Sequence, residues 1–174
     1  MPEFSQPETL SKAHDTATFA CGKSPLDEFI KLHALDKQSA MLSRTYVVTT
    51  DGIVAGYYTL AHVSVAQAET PKKLGRGMPS TIPAILMARF AVDKRFQGRG
   101  LGRSLFTDAI RRTWAVMTAG PAPVRLFVVD AIDEDAKSLY ERFEMIPSPS
   151  DPMRLFLFYK ELRALFEDTA SDSS

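Results

Sequence analysis

With 174 residues, 45 % hydrophobic and 24 % charged, the chain is long enough for one globular domain with a real core, and its composition excludes disordered, collagenous and disulfide-scaffold classes. The single cysteine, Cys21, has no partner for an internal disulfide, and no Cys/His cluster has metal-ligand spacing. Formal charge sums to zero, yet residues 93–112 hold Lys94, Arg95, Arg99, Arg103, Arg111 and Arg112 against only Asp93 and Asp108, a basic tract suited to a polyanion or to a solvated face.

The N-terminal MPEFSQPETL lacks the basic and apolar regions of a leader, and no run approaches the roughly 18 apolar residues of a membrane span. The expectation is a cytoplasmic protein with neither membrane contact nor metal. Ser24-Pro25-Leu26-Asp27 reads as a helix start, with serine as N-cap, proline at the first position and an acid in the first turn; Leu26, Phe29, Ile30 and His33 would share one face. Thr45 to Val48, the pair Asp51-Gly52 and Ile53 to Leu60 read as a hairpin, because Asp-Gly supplies the positive φ of a type I′ turn. Residues 67–83, with three prolines and two glycines, form a long polar loop whose Lys72, Lys73 and Arg76 either grip a nucleic acid or are merely solvated.

Ile85 to Val92 is a buried-strand candidate, and Gly100 to about Thr118 an amphipathic helix with Leu101, Leu105, Ala109, Ile110 and Trp114 inward. A turn at Gly120-Pro121-Ala122-Pro123 leads to a strand over Val124 to Val129, and Asp133 then caps a helix bearing Glu134 and Asp135 near its positive end. A last strand runs from Arg154 to Tyr159. The order of elements predicts an α/β (α+β mixed) fold, one domain over residues 1–160, followed by an acidic tail over 161–174 ending in the low-complexity EDTASDSS.

Between the strand and the long helix lies FAVDKRFQGRGLGRSLFTDAI, Phe90 to Ile110. A strand, a glycine-rich turn and a helix N-terminus aim several backbone N–H groups and a helix dipole at one spot, which makes an anion site. It is not a Walker loop, since Gly102 is followed by Arg103 and no lysine is in register. Nor is it the dinucleotide fingerprint, since arginine stands where the third glycine belongs.

What does fit is Arg95-Phe96-Gln97-Gly98-Arg99-Gly100, the form R/Q-x-x-G-x-G/A after the strand MARFAVD. It resembles the GNAT family of acetyl-CoA-dependent N-acetyltransferases, in which that turn cradles the pyrophosphate of coenzyme A. VVDAIDEDAKSLYERF, Val128 to Phe143, is similar to the following strand and helix of the family, ending in a tyrosine near the thioester. ATFACGKSPLDEFI, VAGYYTL and IPAILMARFAVD resemble more narrowly the TacT-like GNAT toxins of bacterial toxin-antitoxin modules, over about residues 10 to 160. Where the family usually has Gly-Phe after the tyrosine, this chain has Glu144 and Met145, so a different turn is expected there.

The resemblance implies a central mixed, mostly antiparallel twisted sheet with helices on both faces. It implies acetyl-CoA held by Ala91, Val92, Arg95, Gln97, Gly98, Arg99, Gly100, Leu101, Gly102, Arg103, Asp133 and Ala136, and Tyr140 as catalytic acid. It further implies an aminoacyl-tRNA acceptor, a ribbon-helix-helix antitoxin and a possible homodimer. Arg89 either meets an acceptor phosphate or pairs with a carboxylate. Acetyl transfer needs a neutral amine, an oxyanion donor and an acid, yet Ile82 to Val92 contains no carboxylate to serve as base. An α-amine suits that absence, its pKa being about 7.7–8.0 against about 10.4 for lysine. A small-molecule amine or protein N-terminus as acceptor, and a non-catalytic acyl-CoA-binding module, are the alternatives.

Overall fold

The computed structural model describes residues 2–171. Among them the strands form a seven-stranded sheet that runs, edge to edge, through residues 8–9, 44–50, 53–66, 81–92, 126–130, 154–158 and 146–147, a mixed α/β architecture as the sequence predicts. The chain falls into two compact units, one running from the N-terminus to Ala61 with Met87–Ala109, the other comprising His62–Leu86 and the chain from Ile110 onward.

In the first unit, β1 (Glu8–Thr9) pairs antiparallel with β2 (Arg44–Thr50), and β2 with β3 (Ile53–Ala66). Asp51 and Gly52 join the hairpin at φ 50° and 78°, the two positive values that a type I′ turn demands. Helix α1 (Ser24–Glu28) has Lys23 rather than Ser24 as its N-cap, the Lys23 carbonyl accepting the N–H groups of Leu26 and Asp27. Asp27 instead reaches back to accept the Cys21 N–H at 2.8 Å. A π-helical turn, Phe29–His33, separates α1 from α2 (Ala34–Ser39). Its wider winding moves the apolar face on by one position, so Ala34 is buried and His33, expected inward, is exposed. Leu26, Phe29, Ile30 and Ala34 pack with Phe19, Val47, Val54 and Tyr57 into one apolar cluster, and the Tyr57 hydroxyl donates to the Leu26 carbonyl at 2.6 Å.

Strand β4 (Thr81–Val92) is longer than expected and leads into the turn before α4 (Leu101–Ala119). Gly56 on β3 permits close approach here: a Cβ at that position would stand 2.7 Å from Leu105 Cδ1 and 3.3 Å from the Ala91 carbonyl oxygen.

In the second unit the polar loop expected over 67–83 is largely ordered by its own side chains. A 3₁₀ turn at Gln67–Glu69 and the short helix α3 (Lys72–Gly75) are tied by Gln67 Nε2 donating to the Gly75 carbonyl and Thr70 Oγ1 to the Gln67 carbonyl, each at 2.7 Å. β5 (Leu126–Asp130), β7 (Arg154–Phe158) and β6 (Ile146–Pro147) pair antiparallel, with Leu126 opposite Phe158 and Asp130 opposite Arg154. Leu126, Val128, Phe156 and Phe158 then bury one face with Val65, Ile82 and Ala84.

Helix α5 (Glu134–Arg142) is capped as expected, Asp133 Oδ1 accepting the Ala136 N–H at 2.9 Å. After it, Glu144 takes φ 64°, the left-handed geometry that glycine fills most easily at a helix end, and Met145 is buried. Glu144 and Met145 thus end the helix in a left-handed stop with the second residue turned inside. The segment expected as an acidic tail is helix α6 (Tyr159–Ser171), opened where the Tyr159 N–H donates to the Arg125 carbonyl. Leu162 is fully buried, and Trp114 stacks between Tyr159 and Phe166 at 5.7 and 5.9 Å. Those apolar anchors recur at helical spacing among the acids, which is why a charge count alone reads the segment as a tail. Of EDTASDSS, residues 172–174 lie outside the described residues.

Candidate active site

The glycine turn is built on the end of β4 in the first unit. The Asp93 N–H donates to the Ala55 carbonyl, and Asp93 then caps a 3₁₀ turn, Lys94–Phe96, its side chain accepting the Arg95 N–H at 2.9 Å. Gln97 leads into Gly98 and Gly100, at φ 77° and 80°, which L side chains rarely adopt; the space where a Cβ would stand at either residue is open. Gly102 differs, for it lies inside α4, where a Cβ would meet Phe90 and Val92 at an ordinary 3.7 Å.

Among the described residues, no acceptor takes a hydrogen bond from the backbone N–H of Gly98, Arg99, Gly100, Leu101 or Gly102, while Ser104 already bonds the Gly100 carbonyl. The first turn of a 19-residue helix thus adds its orphan donors and its dipole to a row of N–H groups with no acceptor among the described residues. Lys94, Arg99 and Arg103 are exposed around it, so a phosphate-bearing ligand fits in shape and sign.

Ala91, Val92, Arg95 and Gln97 to Arg103 are brought together here. Two of them are used otherwise than expected. Arg95 spends its guanidinium on Asp93, with Nε to Oδ1 at 2.9 Å and Nη2 to Oδ2 at 3.0 Å, and on Thr18 Oγ1 at 3.2 Å. Gln97 donates Nε2 to the Val92 carbonyl at 2.9 Å and to the Cys21 carbonyl at 3.2 Å. Asp93, which the sequence reading passed over, is 1 % exposed and gathers these bonds. Burial alone would raise its pKa; the hydrogen bonds from Arg95 and the Ala20 N–H outweigh that and hold the carboxyl below its usual range. The signal available in the sequence was an acid two residues before the first arginine of the motif.

Arg89, exposed on β4, lies over the Phe29 ring at 4.8 Å and bonds the Ala88 carbonyl, so its resting partner is an aromatic face and not a carboxylate. Cys21 is no nucleophile: burial first, then Asp27, pushes its thiol up to about 11.

Tyr140, Asp133, Ala136, Lys72, Lys73 and Arg76 belong to the second unit. Tyr140 is 5 % exposed, and burial, followed by the charges of Asp133 and Asp130, raises its pKa, so the phenol keeps its proton at neutral pH. Asp133 and Ala136 are joined in the helix cap, which leaves Asp133 a structural task. Lys72, Lys73 and Arg76 are exposed. The same unit carries a cleft of about 260 Å³ around Arg154, which bridges Asp130 at 2.7 Å and Glu69 at 3.4 Å. Nothing in the sequence pattern pointed to it, since the three residues come from separate elements.

The profile described as Acetyltransferase (GNAT) domain matches residues 42–144. A protein of Mycobacterium tuberculosis called tRNA-acetylating toxin is 40 % identical over 168 residues, covering 97 % of this chain and 100 % of its own. A protein of Sinorhizobium fredii called probable toxin TacT is 34 % identical, covering 87 % and 89 %. Among solved structures, AtaT complexed with acetyl-methionyl-tRNAfMet has a TM-score of 0.84 at 27 % identity, covering 94 % of this chain and 99 % of that one. A tyrosine-to-phenylalanine variant of AtaT bound to acetyl-CoA and the C-terminus of the antitoxin AtaR has a TM-score of 0.78 at 25 % identity, covering 95 % and 99 %.

Proposed function

From a chain that belongs to the GNAT acetyltransferase family, we propose a specific reading: it is an acetyl-CoA-dependent N-acetyltransferase acting as a toxin, and it blocks translation by acetylating the α-amino group of aminoacyl-tRNA. The row of N–H groups from Gly98 to Gly102 that no acceptor takes up among the described residues, at the head of α4 and among exposed cations, carries the cofactor half of this reading. The acceptor half is supported by the relatives named for tRNA acetylation and by the AtaT complex.

When bound, acetyl-CoA supplies the acetyl group as a thioester. We assign the pyrophosphate to the N–H groups of Gly98 to Arg103 and to the Arg99 and Arg103 side chains. The end of β4, at Ala91 and Val92, we assign to the pantetheine amides and the developing oxyanion. Tyr140 Oη delivers its proton to the departing sulfur, and the attacking amine loses its own to water. No carboxylate lies on Ile82 to Val92, and an α-amine needs none there, because a sizeable fraction is neutral near pH 7.

A toxin of this kind needs a neutraliser, and the AtaR complex supports an antitoxin whose C-terminal segment covers the toxin. For this chain the partner is a ribbon-helix-helix protein with an acidic or apolar tail over the tract from Arg95 to Arg112, and the toxin is a homodimer. With a substrate made in the cytoplasm, the protein works there; among the described residues no helix is long and apolar enough to cross a membrane. The catalytic domain extends past residue 160 into helix α6, whose Leu162 is buried.

Calorimetry with Gly100→Glu tests the cofactor site. The new carboxylate sits in open space beside the N–H row at φ 80°, so acetyl-CoA binding should vanish by strain and like charge while the fold persists. Undiminished affinity would sink the assignment.

A further inference from the structure

A turn that holds two glycines at positive φ with unspent N–H groups loses its order readily, since glycine has the most conformational freedom to regain. In this chain the turn is not left to itself. The segment from Thr18 to Gly22 is fastened to its base by four hydrogen bonds. The Ala20 N–H donates to Asp93 Oδ2 at 3.1 Å and the Lys94 N–H to the Ala20 carbonyl at 2.9 Å. Arg95 Nη2 donates to Thr18 Oγ1 at 3.2 Å and Gln97 Nε2 to the Cys21 carbonyl at 3.2 Å.

Approach is close enough that a Cβ on Gly22, at φ 100°, would come 2.8 Å from Lys94 Cε. Farther along the N-terminal segment, Phe4 meets Phe96 edge-on at 5.6 Å, and the Arg95 guanidinium lies over that same Phe96 ring at 5.3 Å. The strap is in turn tied to α1 through the Cys21 N–H and Asp27. The bonds of this arrangement are all made within the protein, while the N–H groups of Gly98 to Gly102 meet no acceptor among the described residues.

We propose that Gln97 and Asp93 are positioning residues that pre-order the phosphate turn by clamping it to the Thr18–Gly22 strap, and that Arg95 completes this clamp instead of reaching the cofactor with its side chain. The proposal rests on the reading that the turn holds the pyrophosphate of acetyl-CoA. A pre-ordered turn binds more tightly because its order is not created on binding. Loosening the clamp therefore weakens cofactor affinity without touching the chemical step.

Gln97→Met tests this, because Gln97 is exposed and methionine keeps its length while deleting both donated bonds. The expected result is a rise of about tenfold in the dissociation constant for acetyl-CoA by calorimetry, with kcat at saturating cofactor within about twofold of wild type. In the unliganded protein, amide hydrogen exchange at Gly98 to Gly102 should speed up by about tenfold. Asp93→Asn should move both readouts in the same direction, and Arg99→Met, which touches nothing in the clamp, should leave unliganded exchange unchanged. Wild-type affinity and wild-type exchange in Gln97→Met overturn the clamp. A wild-type chain that binds no acetyl-CoA overturns the underlying assignment of the turn, and this proposal with it.

Discussion

Tyr140 is a phenol kept protonated by burial and by two nearby carboxylates, and that state suits donation to a thiolate that gathers charge only in the transition state. Tyr140→Phe deletes the hydroxyl and keeps the ring. Turnover should fall by about 10²- to 10⁴-fold while acetyl-CoA affinity stays near wild type, as single-turnover kinetics beside calorimetry will read. An unchanged rate would make Tyr140 a packing residue. Asp93 yields a pH prediction. Its folded pKa lies below the unfolded value of about 3.9, so its stabilisation is fully present above that value and is lost as pH falls through the folded pKa. Asp93→Asn should cost about 1–3 kcal/mol in denaturant melts at pH 7, as expected for hydrogen bonds to a charged group. The gap to wild type should start to narrow as pH falls below about 4 and close once the folded carboxyl is protonated too, below its lowered pKa. A constant gap from neutral pH to strong acid would show that the carboxylate charge is not what matters.

At the scale of elements, Gly56 fixes how near the start of α4 approaches β3. Gly56→Ala would drive a methyl group to 2.7 Å from Leu105 Cδ1 and 3.3 Å from the Ala91 carbonyl oxygen, one flexible neighbour and one rigid one. Thermal melts should show a loss of about 1–3 kcal/mol, the usual cost of overpacking; a neutral result would mean that Leu105 swings clear. The elements that the sequence disclosed are those with strong local chemistry. Asp51-Gly52 named its own turn by its φ requirement, Asp133 named a cap, and Gly98 and Gly100 named a turn that only glycine fits. What escaped has a physical reason in each case. The π-helical turn at Phe29–His33 moves the apolar face by one residue without changing composition. Strands β1 and β6 are two residues each, too short to show alternation. Helix α6 hides its apolar anchors, Tyr159, Leu162 and Phe166, among acids. At the site, the turn was legible but the uses of Arg95 and Gln97 were not, because a motif fixes residue types and not the direction in which a side chain points.

Over the whole molecule, 21 basic residues balance 21 acidic ones, so any grip on a polyanion is local, through the tract from Lys94 to Arg112. That limits general affinity for nucleic acid and leaves recognition to a site that also presents the acetyl donor. The reading as a toxin expects growth arrest when the chain is expressed without a partner, and recovery when an antitoxin is supplied. Acetylation of the α-amine is a sharper outcome than growth arrest, because it names a bond. Purified chain, isotope-labelled acetyl-CoA and a total aminoacyl-tRNA pool, followed by nuclease digestion and mass spectrometry of the released aminoacyl-adenosines, test it most directly. Labelled N-acetylaminoacyl-adenosine is expected, and it should be lost with Tyr140→Phe and with Gly100→Glu. An unlabelled aminoacyl pool, together with label on a small amine or a protein N-terminus, would contradict it.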